Sequence, residues 1–236
     1  MKRFLFAIVL FLFCINNLRA QESAINDTID ESIRVYDKLC PILGGDSIRY
    51  ANGVKCVGLM KDYYPNKVLK HKGYYDQGQI VTVFTNYYDN GTMERNFAIK
   101  TETKGNLELY YRNGKIKAKG EYIKGEMLKW EDYFEDGKLE YAEEYNRGMD
   151  YHLYMRFYFE NGTPKVLFEL TDAKKRIYTY KEFYENGHVK EEGAKIQNQS
   201  SGDYMQDGDW KYYDENGKLT LIENYIRGSL NEEQKF

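Results

Sequence analysis

Residues 110–122 read YYRNGKIKAKGEY: two aromatics, one polar residue, Asn113-Gly114, then a lysine-rich run into Gly120-x-Tyr122. Asn-Gly between apolar segments is the strongest short-range signal for a β-hairpin, and Gly supplies the positive φ that other residues resist. The loop Arg112-Asn113-Gly114 suits a type I turn closed by a glycine bulge, which places Tyr110 opposite Ile116. Side chains alternate along a strand, so Tyr111 and Leu107 point to the other side. Both faces of the sheet are therefore expected to carry large apolar groups.

The same phrase recurs along the chain. Its turn glycines are Gly91, Gly114, Gly137, Gly162, Gly187 and Gly217, and Lys67 fills the slot in an earlier copy. The successive spacings are 24, 23, 23, 25, 25 and 30 residues. A period in the twenties is the mark of a repeat architecture. Four residues before each slot stands Tyr63, Tyr87, Tyr110, Tyr133, Tyr158, Phe183 or Tyr213. Seven before it stand Met60, Phe84, Leu107, Trp130, Met155, Tyr180 and Trp210. Gly-x-Tyr-x-x-Gly closes several copies, and its glycines permit a bend or a second turn into the next hairpin. The expected fold is all-β: an elongated, single-layer antiparallel sheet of about seven tandem hairpins. Pro164 enters a returning strand, and KIQNQSSGDYMQDG in the sixth copy is expected to bulge or to protrude.

The ends differ from the array. Lys2 and Arg3 precede an apolar run over 4–15, and a small residue, Ala20, precedes Gln21. That pattern reads as a signal peptide over 1–20, with export to the periplasm, outer surface or extracellular space. Residues 21–45 form a leader in which Ile25, Ile29 and Ile33 are spaced for a short amphipathic helix, with a flexible segment as the alternative. Residues 46–58 hold another Asn-Gly and read as a cap hairpin; 59–228 are the array, and 229–236 a charged tail. Export leaves Cys40 and Cys56, which either bridge or stay as two thiols.

Without residues 1–20 the chain holds 31 Lys and Arg (34 less Lys2, Arg3 and Arg19) against 37 Asp and Glu, a net charge of −6. This disfavours nucleic acid and simple attraction to anionic lipid. His71, His152 and His188 lie in three different copies, with no nucleophile elbow, phosphate loop or paired zinc-ligand spacing around them. No catalytic residue, metal or cofactor is expected. The aromatic ladder is the remaining feature, and Tyr and Trp favour interfaces. Trp130, Tyr133, Tyr158, Trp210 and Tyr213 are the candidate contacts for a protein partner; a glycan or lipid head group at the cell envelope is the alternative. The same rings also serve as candidates for the core of a thin sheet.

The pattern YYxNGxxxxxGxYxxG, with Trp ahead of the tyrosines in WKYYDENG, resembles the MORN-repeat variant family (membrane occupation and recognition nexus). It is similar in particular to bacterial YwqK-type repeat proteins, some labelled antitoxins. The resemblance covers about 59–228 and is strongest over 110–148 and 210–228. It implies an interaction scaffold, and an antitoxin-like role as a special case.

Overall fold

The computed structural model describes residues 48–236 apart from 102 and 103. The expectations for the signal peptide, the leader and Cys40 lie outside these residues. The described chain forms two units, 48–91 and 92–236.

In the first unit, β1 (Tyr50–Ala51) and β2 (Val54–Lys55) pair around Asn52-Gly53, whose φ values of 52° and 77° make a primed turn. Next come β3 (Gly58–Tyr63), β4 (Leu69–Asp76) and β5 (Gln79–Tyr87), hydrogen-bonded in sequence order. The second unit holds β6 (Met93–Thr101), β7 (Lys104–Tyr110), β8 (Ile116–Ile123), β9 (Glu126–Tyr133), β10 (Leu139–Tyr145) and β11 (His152–Tyr158). It continues through β12 (Pro164–Asp172), β13 (Ile177–Phe183), β14 (Val189–Gln197), β15 (Tyr204–Tyr213), β16 (Leu219–Ile226) and β17 (Ser229–Lys235). Each strand again pairs antiparallel with its neighbour in sequence. Residues 229–235 are thus a paired strand rather than a free tail: Glu223 lies opposite Glu233 and Tyr225 opposite Leu230. Pro164 opens β12, where a missing N–H is tolerated.

The hairpin turn forms as the sequence indicates. Tyr111 N donates to Lys115 O, Gly114 N donates to Tyr111 O, and Tyr110 faces Ile116. The same pair of turn bonds closes Tyr64–Val68, Phe134–Lys138, Phe159–Thr163, Tyr184–His188 and Asp214–Lys218. Lys67 adopts φ 67° and so takes the conformation that glycine holds in the other copies. Successive turns are then tied together. Tyr64, Tyr111 and Tyr184 donate through Oη to the carbonyls of Tyr87, Tyr133 and Tyr213, at 2.7, 2.6 and 2.9 Å. Asn161 and Asn186 accept the N–H two residues on and donate to the next turn's carbonyl. The turn asparagine therefore shapes its own loop and binds the following one.

Both faces carry large rings, as alternation indicates, but the two faces differ in kind. In β8, Ala118, Gly120 and Tyr122 are buried, while Lys117, Lys119 and Glu121 are exposed. Across the neighbouring strands, Glu108, Lys119 and Glu131 align on one face and Leu107, Gly120 and Trp130 on the other. One face is core and the opposite face is a ladder of charges. Alternation along β7 seats Tyr110 beside Glu108 on the charged side, and a register shift next to the turn, between Leu109 and Tyr110, pairs it with Ile116.

The glycine of Gly-x-Tyr has a specific task on the buried face. A Cβ on Gly120 would meet Trp130 at 2.8 Å, and one on Gly193 would meet Trp210 at 2.5 Å. Each indole lies flat over a backbone that only glycine leaves bare. In the sixth copy the extra residues lengthen β14 and β15, with a register shift between Glu192 and Ala194. They deliver Tyr204, whose Oη lies 3.1 Å from His152 Nδ1. β11 and β15 are four strands apart, about 19 Å in a flat sheet at ~4.8 Å per strand, so this contact requires the second unit to curl towards its buried face. Phe168 and Tyr178 stack at 4.4 Å inside the curl, and Tyr204 meets both edge-on.

Candidate functional site

The five aromatic candidates divide between the faces. Trp130 and Trp210 stand on the buried face, opposite Gly120 and over Gly193. Tyr133 and Tyr213 stand on the charged face, donating to Glu131 at 2.6 Å and to Glu192 at 2.9 Å. Tyr158 is half-buried, at the end of β11 beside Pro164. No single surface unites the five.

The two tryptophans occupy the same repeat position and differ sharply. Trp210 is 1% exposed. Its Nε1 donates to Ala194 O at 3.0 Å, Tyr180 packs on it at 5.3 Å, and Lys195 Nζ lies 5.7 Å from its ring and 4.2 Å from that of Tyr180. Trp210 is therefore a core residue, which corrects its place among the contact candidates: a partner finds almost no surface on it. Burial lowers the Lys195 pKa, and Glu191 and Glu182 pull it back upward. Trp130 is half-buried, and its Nε1 donates to Asp132 Oδ2 at 2.8 Å. Beside it on the same face stand Tyr141, opposite Asp132, and Glu143, opposite Trp130. Glu143 Oε2 is 3.1 Å from His152 Nε2, and Tyr141 packs on Phe157 at 4.6 Å.

The carboxyl of Asp132 has its pKa raised, first by burial and further by Glu143; the Trp130 hydrogen bond and Lys117 act the other way. Burial and then Glu182 raise that of Glu191. These are the groups that lose water without gaining a full ion pair. Sequence reading gave them no role because they sit five residues before the slot, or four after it, at positions that vary in character from copy to copy. The signal was available in the alignment: five before the slot come Asp62, Asn86, Leu109, Asp132, Phe157, Glu182 and Tyr212.

In the first unit the buried face is closed by Arg49. Its guanidinium pairs with Asp62, with both side chains nearly inaccessible, and lies 5.2 Å from the Tyr75 ring. His71 Nδ1 is 2.7 Å from Asn86 Oδ1, and its Nε2 is 2.9 Å from Tyr75 Oη. Cys56 is a buried free thiol; Cys40, the expected bridge partner, lies outside the described residues. Among the described residues no group of three or more His, Cys, Asp or Glu is arranged to hold a metal ion. No helix among them is long and apolar enough to cross a membrane.

The MORN repeat variant model matches residues 57–77, 104–124, 128–147, 179–194 and 206–227. This is a MORN-repeat-variant protein. The MORN matches fall on β3–β4, β7–β8, β9–β10, β13–β14 and β15–β16, each a hairpin. No curated protein matches the chain. Among solved structures it is similar to TarM, with 15% identity, TM-score 0.27, and coverage of 38% of this chain and 18% of that one. It is also similar to an S. aureus TarM variant in complex with Fondaparinux, alpha-GlcNAc-glycerol and UDP, at 12% identity and TM-score 0.24, covering 63% and 21%. A Photorhabdus luminescens Tc holotoxin pore gives 9% identity and TM-score 0.19, covering 80% and 14%. The MORN chain spans about a fifth or less of each of these structures' length.

Proposed function

We propose that this chain is an exported, non-enzymatic scaffold that binds a protein partner on the buried face of its second unit, around Trp130. One observation carries the reading. At the same repeat position Trp210 is sealed by the chain's own Lys195 and Tyr180, whereas Trp130 keeps part of its surface beside the desolvated Asp132 and Glu143. Half-exposed aromatic rings flanked by polar groups are where interface energy concentrates. An antitoxin role is the special case in which the partner is a toxin acting outside the cytoplasm.

A second reading, glycan binding, has the charged face in its favour. Tyr133 and Tyr213 present half-exposed rings there, each held by a glutamate, an arrangement suited to stacking on sugars. The two readings predict different sensitive residues. Immobilised chain is exposed to envelope and secreted material of the native cell, washed in high salt, and compared with Trp130→Ala and with the pair Tyr133→Ala, Tyr213→Ala. A single protein lost with Trp130→Ala supports the scaffold. Polysaccharide lost with the tyrosine pair supports the glycan reading, and retention of nothing specific overturns both.

A further inference from the structure

Three copies of the repeat carry a carboxylate five residues before the turn slot: Asp62, Asp132 and Glu182. Two of the three are neutralised by cations of the chain itself. Asp62 holds the Arg49 guanidinium, which also lies over Tyr75. Glu182 holds Lys190 Nζ at 2.7 Å and accepts from Tyr180 Oη at 3.2 Å. Asp132 differs. Among the described residues its hydrogen-bond partner is the Trp130 indole, and no lysine or arginine forms an ion pair with it. The lysine acting on it from a distance, Lys117, lies 5.8 Å from the Tyr111 ring. His152 is engaged by Glu143 and Tyr204.

From this internal comparison we infer that Asp132, with Trp130 and Tyr141, receives an arginine side chain from an extended segment of the protein partner. Arg49 supplies the template. Its segment is pinned by backbone bonds, Arg49 N to Gly78 O at 2.8 Å and Cys56 N to Arg49 O at 2.9 Å. From there it sends a guanidinium onto the equivalent carboxylate and across an aromatic ring. Arginine suits such a site better than lysine because its planar, weakly hydrated cation both forks onto carboxylate oxygens and stacks on rings. Trp130 offers the ring that binds cations best. Glu143 adds a second negative charge on the same face, and the net charge of −6 of the chain lacking residues 1–20 draws a basic partner in. This inference rests on the scaffold reading and names the chemistry of its partner.

The test uses the full chain and two probes: the tripeptide Ac-Ile-Arg-Tyr-NH2, copying residues 48–50, and its citrulline analogue, which keeps the shape and loses the charge. The indole N–H resonances of Trp130 and Trp210, assigned through Trp130→Phe, are followed by NMR. The expected result is a saturable shift of the Trp130 signal and a still Trp210 signal. Binding should be about tenfold weaker or more for citrulline, given the usual value of a charge-assisted hydrogen bond. The isosteric Asp132→Asn should give the same loss; the citrulline probe on the unaltered chain keeps the test independent of folding. A silent Trp130, or a shift indifferent to citrulline and to Asp132→Asn, overturns the inference. If Trp130 stays silent while capture still retains a protein that Trp130→Ala loses, the arginine chemistry fails and the scaffold reading stands.

Discussion

Trp130 and Trp210 began as the same letter in the same place of a repeat, and the sheet has used them differently. Both lie over a glycine, Gly120 or Gly193, on the buried face. What separates them is the neighbour eight residues after the preceding slot. Beside Trp210 it is Lys195, whose ammonium reaches the rings; beside Trp130 it is Tyr122, an uncharged ring that also meets Phe97 edge-on at 6.3 Å. The curl sharpens the contrast, for Tyr204, Tyr178 and Phe168 build a small aromatic core near the β15 end of the sheet. A repeat therefore specifies where a ring stands, and its variable positions decide whether that ring becomes core or surface.

The largest effect should come from cutting each ring out. Trp210→Ala should cost about 3–5 kcal/mol of unfolding free energy, the usual loss for a buried tryptophan. Trp130→Ala should cost about 1 kcal/mol, as for an ordinary point substitution, with both read from urea unfolding curves. Equal losses would erase the distinction. Next comes the pair of carboxylate sites. Arg49→Ala strands Asp62 in a nearly water-free place and should cost about 3 kcal/mol. Asp132→Asn should cost nothing at neutral pH, or stabilise slightly. A raised folded-state pKa means the folded chain prefers the protonated carboxyl, so the charged form opposes folding above that pKa. Any gain from Asn should then fade as pH falls through the carboxylate range.

A smaller effect tests the glycines beneath the indoles. Gly193→Ala should cost about 1–3 kcal/mol by overpacking against the sealed Trp210. Gly120→Ala should cost less, because the half-buried Trp130 has room to tilt; differential scanning calorimetry reads both. The smallest effect concerns acid. Burial lowers the His71 pKa, so the folded state holds that ring neutral. The unfolded chain gains its proton first, and the first unit should lose stability as pH falls below about 6.5, the ordinary histidine value. His71→Gln should flatten that slope in hydrogen exchange of β3–β5.

Much of the fold is legible in the sequence alone. Asn113-Gly114 and its copies set the turns, and Tyr110 does face Ile116. The sidedness of the core was not legible by counting alternation. Alternation places Tyr110 with Glu108 and Tyr133 with Glu131, but rings stand at both phases of the repeat, and nothing in the spacing says which phase is covered. The contacts that distinguish copies were hidden for another reason. His152 and Tyr204 are 52 residues apart and meet only because the sheet curls, and Arg49 reaches Asp62 from outside the array. Such pairings depend on three-dimensional closure, and spacing along the chain carries no record of them.

The most direct measurement is quenching of tryptophan fluorescence by a cation and by an anion, caesium and iodide, in the unaltered chain and in Trp130→Phe. The account predicts that Trp210, alone in the variant, is shielded from both. The emission lost with Trp130 should be quenched by caesium well beyond iodide, because Asp132 and Glu143 stand beside an accessible ring. Free quenching of Trp210, or a preference for iodide at Trp130, would contradict the division of the two tryptophans into core and cation-binding surface.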